Sequence, residues 1–149
     1  MGQVEDKLSK LGESLPDSKE PVANYLGCKR SGNTLYVSGR VSPIRGEVGT
    51  DLTVAEAQMA ARSALLDILA IVKHEIGDLD KIVAVEKLVG FVRSAPSFIE
   101  QPRVIDGASD LLVSLFGEAG RHARTATGVA QLPFGAAVQV EMILRIAEE

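Results

Sequence analysis

The sequence predicts an α+β domain in which two long helices pack on one face of a mixed β-sheet. Three segments with helical spacing of apolar residues alternate with segments rich in β-branched residues, in the order helix, two strands, helix, strand, helix, two strands. That order is typical of helices layered on a sheet. With 149 residues, 46% of them hydrophobic, the chain is long enough for one substantial core. We therefore expect a single domain over 1–149, in which 1–16 form a short N-terminal helical extension.

The first elements follow from local patterns. Val4, Leu8, Leu11 and Leu15 recur at helical spacing and predict a short helix that ends near Pro16.

Next, residues 22–29 and Thr34–Ser38 look extended, and the tight-turn sequence Ser-Gly-Asn at 31–33 joins them into a predicted hairpin. The glycine-rich stretch 43–50 is expected to be a loop.

Two long helices are predicted. The first runs over 53–76, because Thr53 and Glu56 form a capping box and Gly77 suits the position after the last turn. The many alanines on its apolar stripe imply that this helix packs closely against a neighbouring element, such as a sheet. The second helix starts near 101 or 104 and ends near Phe116.

The remaining strands are predicted over 81–93, 125–131 and 137–146. The alternation in the first of these places Lys87 and Val89 on one face and Leu88 on the other. Apolar residues at 83, 85, 138, 140 and 143 are available for both faces of the sheet. A face that the helices leave uncovered would then need a partner, so we expect a homo-oligomer.

Composition and missing motifs exclude several classes of function. The net charge is −4 and no basic run exceeds two residues, which argues against a nucleic-acid surface. We expect a cytoplasmic protein, because Cys28 is the single cysteine and neither a signal peptide nor a membrane span is apparent. Cys28 is expected to be buried or inert. His74 and His122 lie too far apart in sequence to suggest a zinc site, and the nucleotide-binding and hydrolase motifs are missing.

The strongest chemical signal lies just before the strand of small residues TATGVAQL. Arg121, His122 and Arg124 cluster there, and the guanidinium of Arg124 is a planar fork that suits a carboxylate. Spacing leaves a second interpretation open, in which Arg124 pairs with a neighbouring Asp or Glu at the surface.

The C-terminal run around Arg124 also resembles the signature of the reactive intermediate deaminase (RidA/YjgF) family. That signature has Ala-Arg-Ser/Thr before a short strand, then a Leu-Pro turn, then a strand that reads Val-Glu-Ile-Glu. The matching segments here are Ala123–Thr125, Leu132–Pro133 and Val138–Glu141. Tyr25 in ANYLG and Ser38 in LYVSGRV are similar to the family's pocket residues. DLTVAEAQ and FVRSAPSF also resemble the family, while DGASDLLVSLFGEAGRHAR resembles a divergent branch.

The resemblance implies a chorismate-mutase-like fold and a homotrimer with clefts between adjacent subunits. It also implies hydrolysis of 2-imino or enamine acids to 2-keto acids and ammonia, without a cofactor or metal. Arg124 would bind the substrate carboxylate, Ser38 would help to hold the substrate or a water, and Tyr25 would line the pocket.

Two departures from the family pattern affect the reaction. Gln139 stands where the family has a proposed water-handling glutamate, and glutamine cannot take a proton from water. Glu141 lies two residues on, on the same face of the strand. Asp106 stands near a position that is often asparagine, where it would disfavour an anionic substrate or stabilise a helix N-terminus.

Three functions therefore stay open. The first is a deaminase with Arg124, Glu141 and Gln139 as catalytic residues and Arg124, Tyr25, Ser38 and Asp106 as substrate-binding residues. The second is a protein that binds or senses a small carboxylate without chemistry. The third is a ribonuclease, an activity sometimes assigned to the family, and the negative net charge of the chain argues against it.

Overall fold

The computed structural model describes residues 2–18 and 24–148, and confirms the predicted α+β architecture. Within these residues, two long α-helices and one short α-helix accompany five strands. In chain order they are α1 (Gln3–Lys10), β1 (Cys28–Ser31), β2 (Thr34–Val41), α2 (Val54–Ile76), β3 (Ile82–Arg93), α3 (Gln101–Phe116), β4 (Ala123–Val129) and β5 (Val138–Ile146).

The five strands form one mixed sheet in the order β1-β2-β5-β3-β4. β3 and β4 are parallel, and the other neighbours are antiparallel. Leu88 on β3 and Val140 on β5 are fully buried, whereas Val89 and Glu141 are only partly buried. Because α2 and α3 contact the strands from the side of the buried residues, both long helices cover the same face. We call the other face of the sheet the open face.

Helix α2 begins and ends as its sequence predicts. The Thr53 hydroxyl accepts from the Glu56 N–H at 3.2 Å, and the Glu56 carboxylate accepts from the Thr53 N–H at 3.1 Å. Gly77 follows the last turn with φ of +87°, a value that glycine adopts without strain.

The two long helices approach each other closely at Gly107. A Cβ atom at Gly107 would lie 2.3 Å from the backbone oxygen of Gln58 on α2. Nearby alanines of α2, among them Ala57 and Ala61, are fully buried. Small side chains therefore set the position of α3, the helix that carries Asp106 and Ser109.

Some boundaries differ from the sequence prediction. Helix α1 ends at Lys10, and Gly12 adopts φ of +77°, which turns the chain away before Leu15; Leu15 still packs against the core. The predicted extended segment 22–29 falls partly outside the described residues, and β1 begins at Cys28. β4 begins at Ala123, so Arg124 is the second residue of the strand and does not precede it.

The open face carries apolar side chains that no described helix covers. Tyr36 and Val83 are 48% and 45% exposed, and Ile143 is partly exposed. Of the other valines predicted to serve the two faces, Val85, Val138 and Val140 belong to the core. In the part of the chain that the structure describes, no helix is long and apolar enough to cross a membrane.

Candidate functional site

The register of β4 against β3 decides where Arg124 points. Arg124 lies opposite Leu88 in this parallel pair, and partners in a sheet share a face. Leu88 is fully buried on the face that the helices cover. The Arg124 side chain therefore extends from the edge strand towards α3.

Arg124 is held by two residues of α3. Its Nη1 donates to Oδ1 of Asp106 at 2.7 Å and to Oγ of Ser109 at 3.2 Å. The Arg124 side chain is 25% exposed and that of Asp106 is 43% exposed. Among the described residues, neither Nε nor Nη2 of Arg124 has a hydrogen-bond partner. One edge of the guanidinium is thus available to a carboxylate, although Asp106 already neutralises the charge.

His122 extends this hydrogen-bonded group. Its Nδ1 lies 2.6 Å from the carbonyl oxygen of Gly120, and its Nε2 lies 2.9 Å from Oγ of Ser109. A carbonyl can only accept, so Nδ1 carries a proton, and Nε2 can accept from the Ser109 hydroxyl when it carries none. Ser109 can then accept from Arg124. The chain of bonds runs from Gly120 through His122 and Ser109 to Arg124, and we call these residues with Asp106 the arginine cluster.

The other predicted site residues lie elsewhere on the sheet. Gln139 and Glu141 are partly exposed on the open face, where they lie opposite Phe91 and Val89 of β3. The Gln139 amide lies against Gly39 of β2, where an added Cβ would be 2.9 Å from Nε2.

Ser38 and Tyr25 lie at the start of the sheet. The Ser38 hydroxyl donates to the carbonyl oxygen of Leu26 at 2.6 Å, which leaves its oxygen free only to accept. Tyr25 is 48% exposed. Ser38 directly precedes Gly39 on β2, and the Gln139 side chain lies against Gly39. Ser38 is therefore near Gln139.

The structure therefore brings Arg124 together with Asp106 but separates both from Gln139 and Glu141. These groups lie on opposite faces, and β3 stands between β4 and β5, which places the strands about 10 Å apart. One chain thus holds two separate groups of predicted site residues, which we call half-sites. Sequence reasoning missed Ser109, although its spacing of three residues from Asp106 on a helix places both side chains on one face.

Other reactive groups lie apart from both half-sites. Burial, followed by the charge of Glu75, raises the pKa of the Cys28 thiol to about 12, so this buried cysteine is not a nucleophile at neutral pH. A cavity of about 420 Å³, lined in part by Arg30, Glu75 and Lys81, includes none of the predicted site residues. Within 2–18 and 24–148, no three His, Cys, Asp or Glu side chains gather to hold a metal ion.

Fold and sequence together define the class of protein. The family described as YjgF/chorismate mutase-like, putative endoribonuclease matches residues 5–145, and the chain belongs to this family. Protein TCP17 of Trypanosoma cruzi is 46% identical over 97% of this chain and 95% of its own length. A crystal structure of a protein of unknown function from Agrobacterium tumefaciens is 47% identical, with a TM-score of 0.91 over 97% of this chain and 92% of that one. A 2-iminobutanoate/2-iminopropanoate deaminase of Dermatophagoides farinae is 28% identical over 89% of this chain and 94% of its own length.

Proposed function

We propose that the protein hydrolyses small 2-imino or enamine carboxylic acids to 2-keto acids and ammonia, with Arg124 as the anchor of the substrate carboxylate. The observation that carries this proposal is the free edge of the Arg124 guanidinium, held in place by its bonds to Asp106 and Ser109. Charge-assisted hydrogen bonds from such an edge suit a carboxylate. The similarity to an iminobutanoate deaminase supports the reaction class.

The reaction needs water and proton transfer, but no redox step. An enamine substrate first takes a proton on carbon and loses one from nitrogen, which gives the imine. Water then adds to the carbon of the C=N bond, and one of its protons goes to the nitrogen, so that the adduct carries a hydroxyl and an amino group on one carbon. The hydroxyl proton then passes to the nitrogen as the C–N bond breaks, so ammonia leaves and the carbon becomes a ketone. Gln139 can orient the water, and Glu141, on the same face of β5, supplies the carboxylate that can take its proton.

The two half-sites require more than one chain to meet. A homotrimer closes when each subunit presents one surface to the next and receives a different one. We propose that the arginine cluster of one subunit faces Gln139 and Glu141 on the open face of its neighbour, so that each cleft holds one complete site. The uncovered apolar residues Tyr36, Val83 and Ile143 favour such an assembly.

The test compares Arg124→Ala with Arg121→Ala. Arg121 lies three residues earlier, pairs with Glu118 at 3.7 Å and has a 72% exposed side chain, so it is a matched control. With 2-iminopropanoate or 2-aminoacrylate generated in the assay, we expect Arg124→Ala to lower kcat/KM about 10- to 150-fold, the value of a charge-assisted bond. Light scattering should show the same oligomer for both variants. Wild-type turnover in Arg124→Ala would refute the anchoring role.

A second candidate is a protein that binds a small carboxylate without chemistry, and Gln139 favours it. Gln139→Glu separates the two candidates. If this variant deaminates and the wild type does not, the missing acid limits an otherwise complete site. If calorimetry detects carboxylate binding to the wild type and neither protein deaminates any imine offered, the binding function is supported. A ribonuclease is not favoured, because the net charge is −4.

A further inference from the structure

We infer that the Arg124–Asp106 pair is a binding site for zwitterions, in which Arg124 takes a carboxylate and Asp106 takes a cationic nitrogen on the adjacent carbon. The inference rests on the proposed function for its link to catalysis, and names the charge state of the ligand that the arginine cluster selects. The ligand class is the α-amino and α-iminium carboxylates.

The ion pair between Arg124 and Asp106 leaves part of each charged group unused. Only one atom of each group is used, since Nη1 of Arg124 contacts Oδ1 of Asp106 at 2.7 Å. Among the described residues, Oδ2 of Asp106 has no partner, and neither do Nε and Nη2 of Arg124. Each charged group thus keeps part of its hydrogen-bonding capacity, and both side chains are partly exposed.

The surrounding bonds decide which part of the guanidinium faces a ligand. The Ser109 hydroxyl accepts from Nη1 of Arg124 and is also bonded to Nε2 of His122. The carbonyl oxygen of Gly120 in turn orients the His122 ring through Nδ1. The guanidinium therefore cannot turn without breaking two bonds from Nη1. A ligand reaches Arg124 through Nη2 or Nε, next to the exposed carboxylate of Asp106.

The charge of the pair selects among ligands. The pair of Arg124 and Asp106 has no net charge. A simple carboxylate is attracted by Arg124 but repelled by Asp106, so little net electrostatic attraction remains. A zwitterion meets an opposite charge at both ends, since its carboxylate and its cationic nitrogen are attached to one carbon. The site should therefore prefer a zwitterion to a monoanion of the same size.

The same preference suits hydrolysis of an imine. Protonation of the imine nitrogen gives an iminium zwitterion, in which the carbon attacked by water is more electrophilic. Asp106 stabilises that protonated form. The 2-keto acid product has no cationic nitrogen, so it loses the contact with Asp106 and leaves more readily.

The experiment measures binding of ligands that do not react: L-alanine, propanoate and pyruvate. Calorimetry or NMR titration of the full-length protein should give L-alanine about three- to fivefold tighter binding than the other two, the upper range for exposed charge pairs. Asp106→Asn keeps an oxygen for Arg124 but removes the charge, and should bring the ratio close to one. Asp6→Asn removes an exposed charge from α1, away from Asp106, and should leave the ratio unchanged.

The inference is overturned by equal affinity for L-alanine and propanoate in the wild type, by failure of all three ligands to bind, or by an unchanged ratio in Asp106→Asn. Because no turnover is measured, the result is independent of the proposed reaction. A protein that prefers L-alanine but deaminates nothing refutes the reaction and leaves the zwitterion site in place.

Discussion

The close approach of α2 and α3 makes Gly107→Ala a sensitive test of the packing that positions the arginine cluster. Gly107 lies inside α3, where alanine is favoured over glycine by about 1 kcal/mol. Helix propensity therefore predicts that the substitution stabilises the protein. The added methyl group, however, would lie 2.3 Å from the Gln58 oxygen and 2.9 Å from its carbonyl carbon and Cα.

The contact should outweigh the propensity. All three atoms belong to the backbone of α2, so no side chain can rotate away. The helices must move apart until the contact exceeds about 3 Å, which loosens the fully buried residues Ala57, Ala61 and Ala108. Overpacking of this kind costs about 1–3 kcal/mol and occasionally more. Because no side chain can relieve the contact, we expect a cost of about 3 kcal/mol, at the top of that range. The gain of about 1 kcal/mol in helix propensity then leaves the free energy of unfolding lower by about 2 kcal/mol.

Thermal unfolding followed by circular dichroism provides the measurement. For a chain of this size, a loss of about 2 kcal/mol lowers Tm by roughly 4–8 °C. Ser114→Ala, on the exposed side of α3, is the control, because it raises helix propensity without meeting α2, and its Tm should rise slightly or stay constant. A Tm for Gly107→Ala equal to or above that of the wild type would show that the helix crossing does not depend on a missing Cβ.

Two further predictions concern titratable groups away from the site. Cys28, with a pKa raised to about 12 by burial, should resist iodoacetamide at pH 8 until denaturant unfolds the protein; labelling at the rate of a free thiol would contradict this. Asp80 accepts from the backbone N–H groups of Gln3 at 2.8 Å and Val4 at 3.0 Å, with the Val4 bond as the larger cause of a pKa lowered from 3.8. A lowered pKa means that the carboxylate stabilises the fold above the ordinary value, and that this contribution disappears as the pH falls through the lowered one. The urea midpoint of the wild type should thus exceed that of Asp80→Asn at pH 6 by more than it does at pH 2, and a difference that is as large at pH 2 as at pH 6 would refute the assignment.

Local patterns were enough to predict most of the fold. The capping box at Thr53, the stop at Gly77 and the alternation around Leu88 depend only on near neighbours in sequence, and each is confirmed. The early end of α1 was missed because apolar spacing continues to Leu15, although Gly12 already turns the chain.

The separation of the predicted site residues could not be read from the sequence. It depends on the register of Arg124 opposite Leu88, and shifting β4 by one residue would send the side chain to the other face. That register pairs residues that are far apart in the sequence, and local patterns do not specify it. Local patterns do single out His122 for its charged neighbours, but its bond to Ser109 spans 13 residues and is visible only in the folded chain.

The sheet between the two half-sites has a genetic consequence. In the proposed ring, the residues that one subunit contributes to a cleft differ from those it contributes to the next cleft. A chain without Arg124 and a chain damaged at Gln139 would each be defective when alone. Mixed in equal numbers, they would rebuild both halves in about one cleft in four, since each cleft draws one half from each of two neighbours. Two alleles, each null by itself, would then complement one another within a single cell.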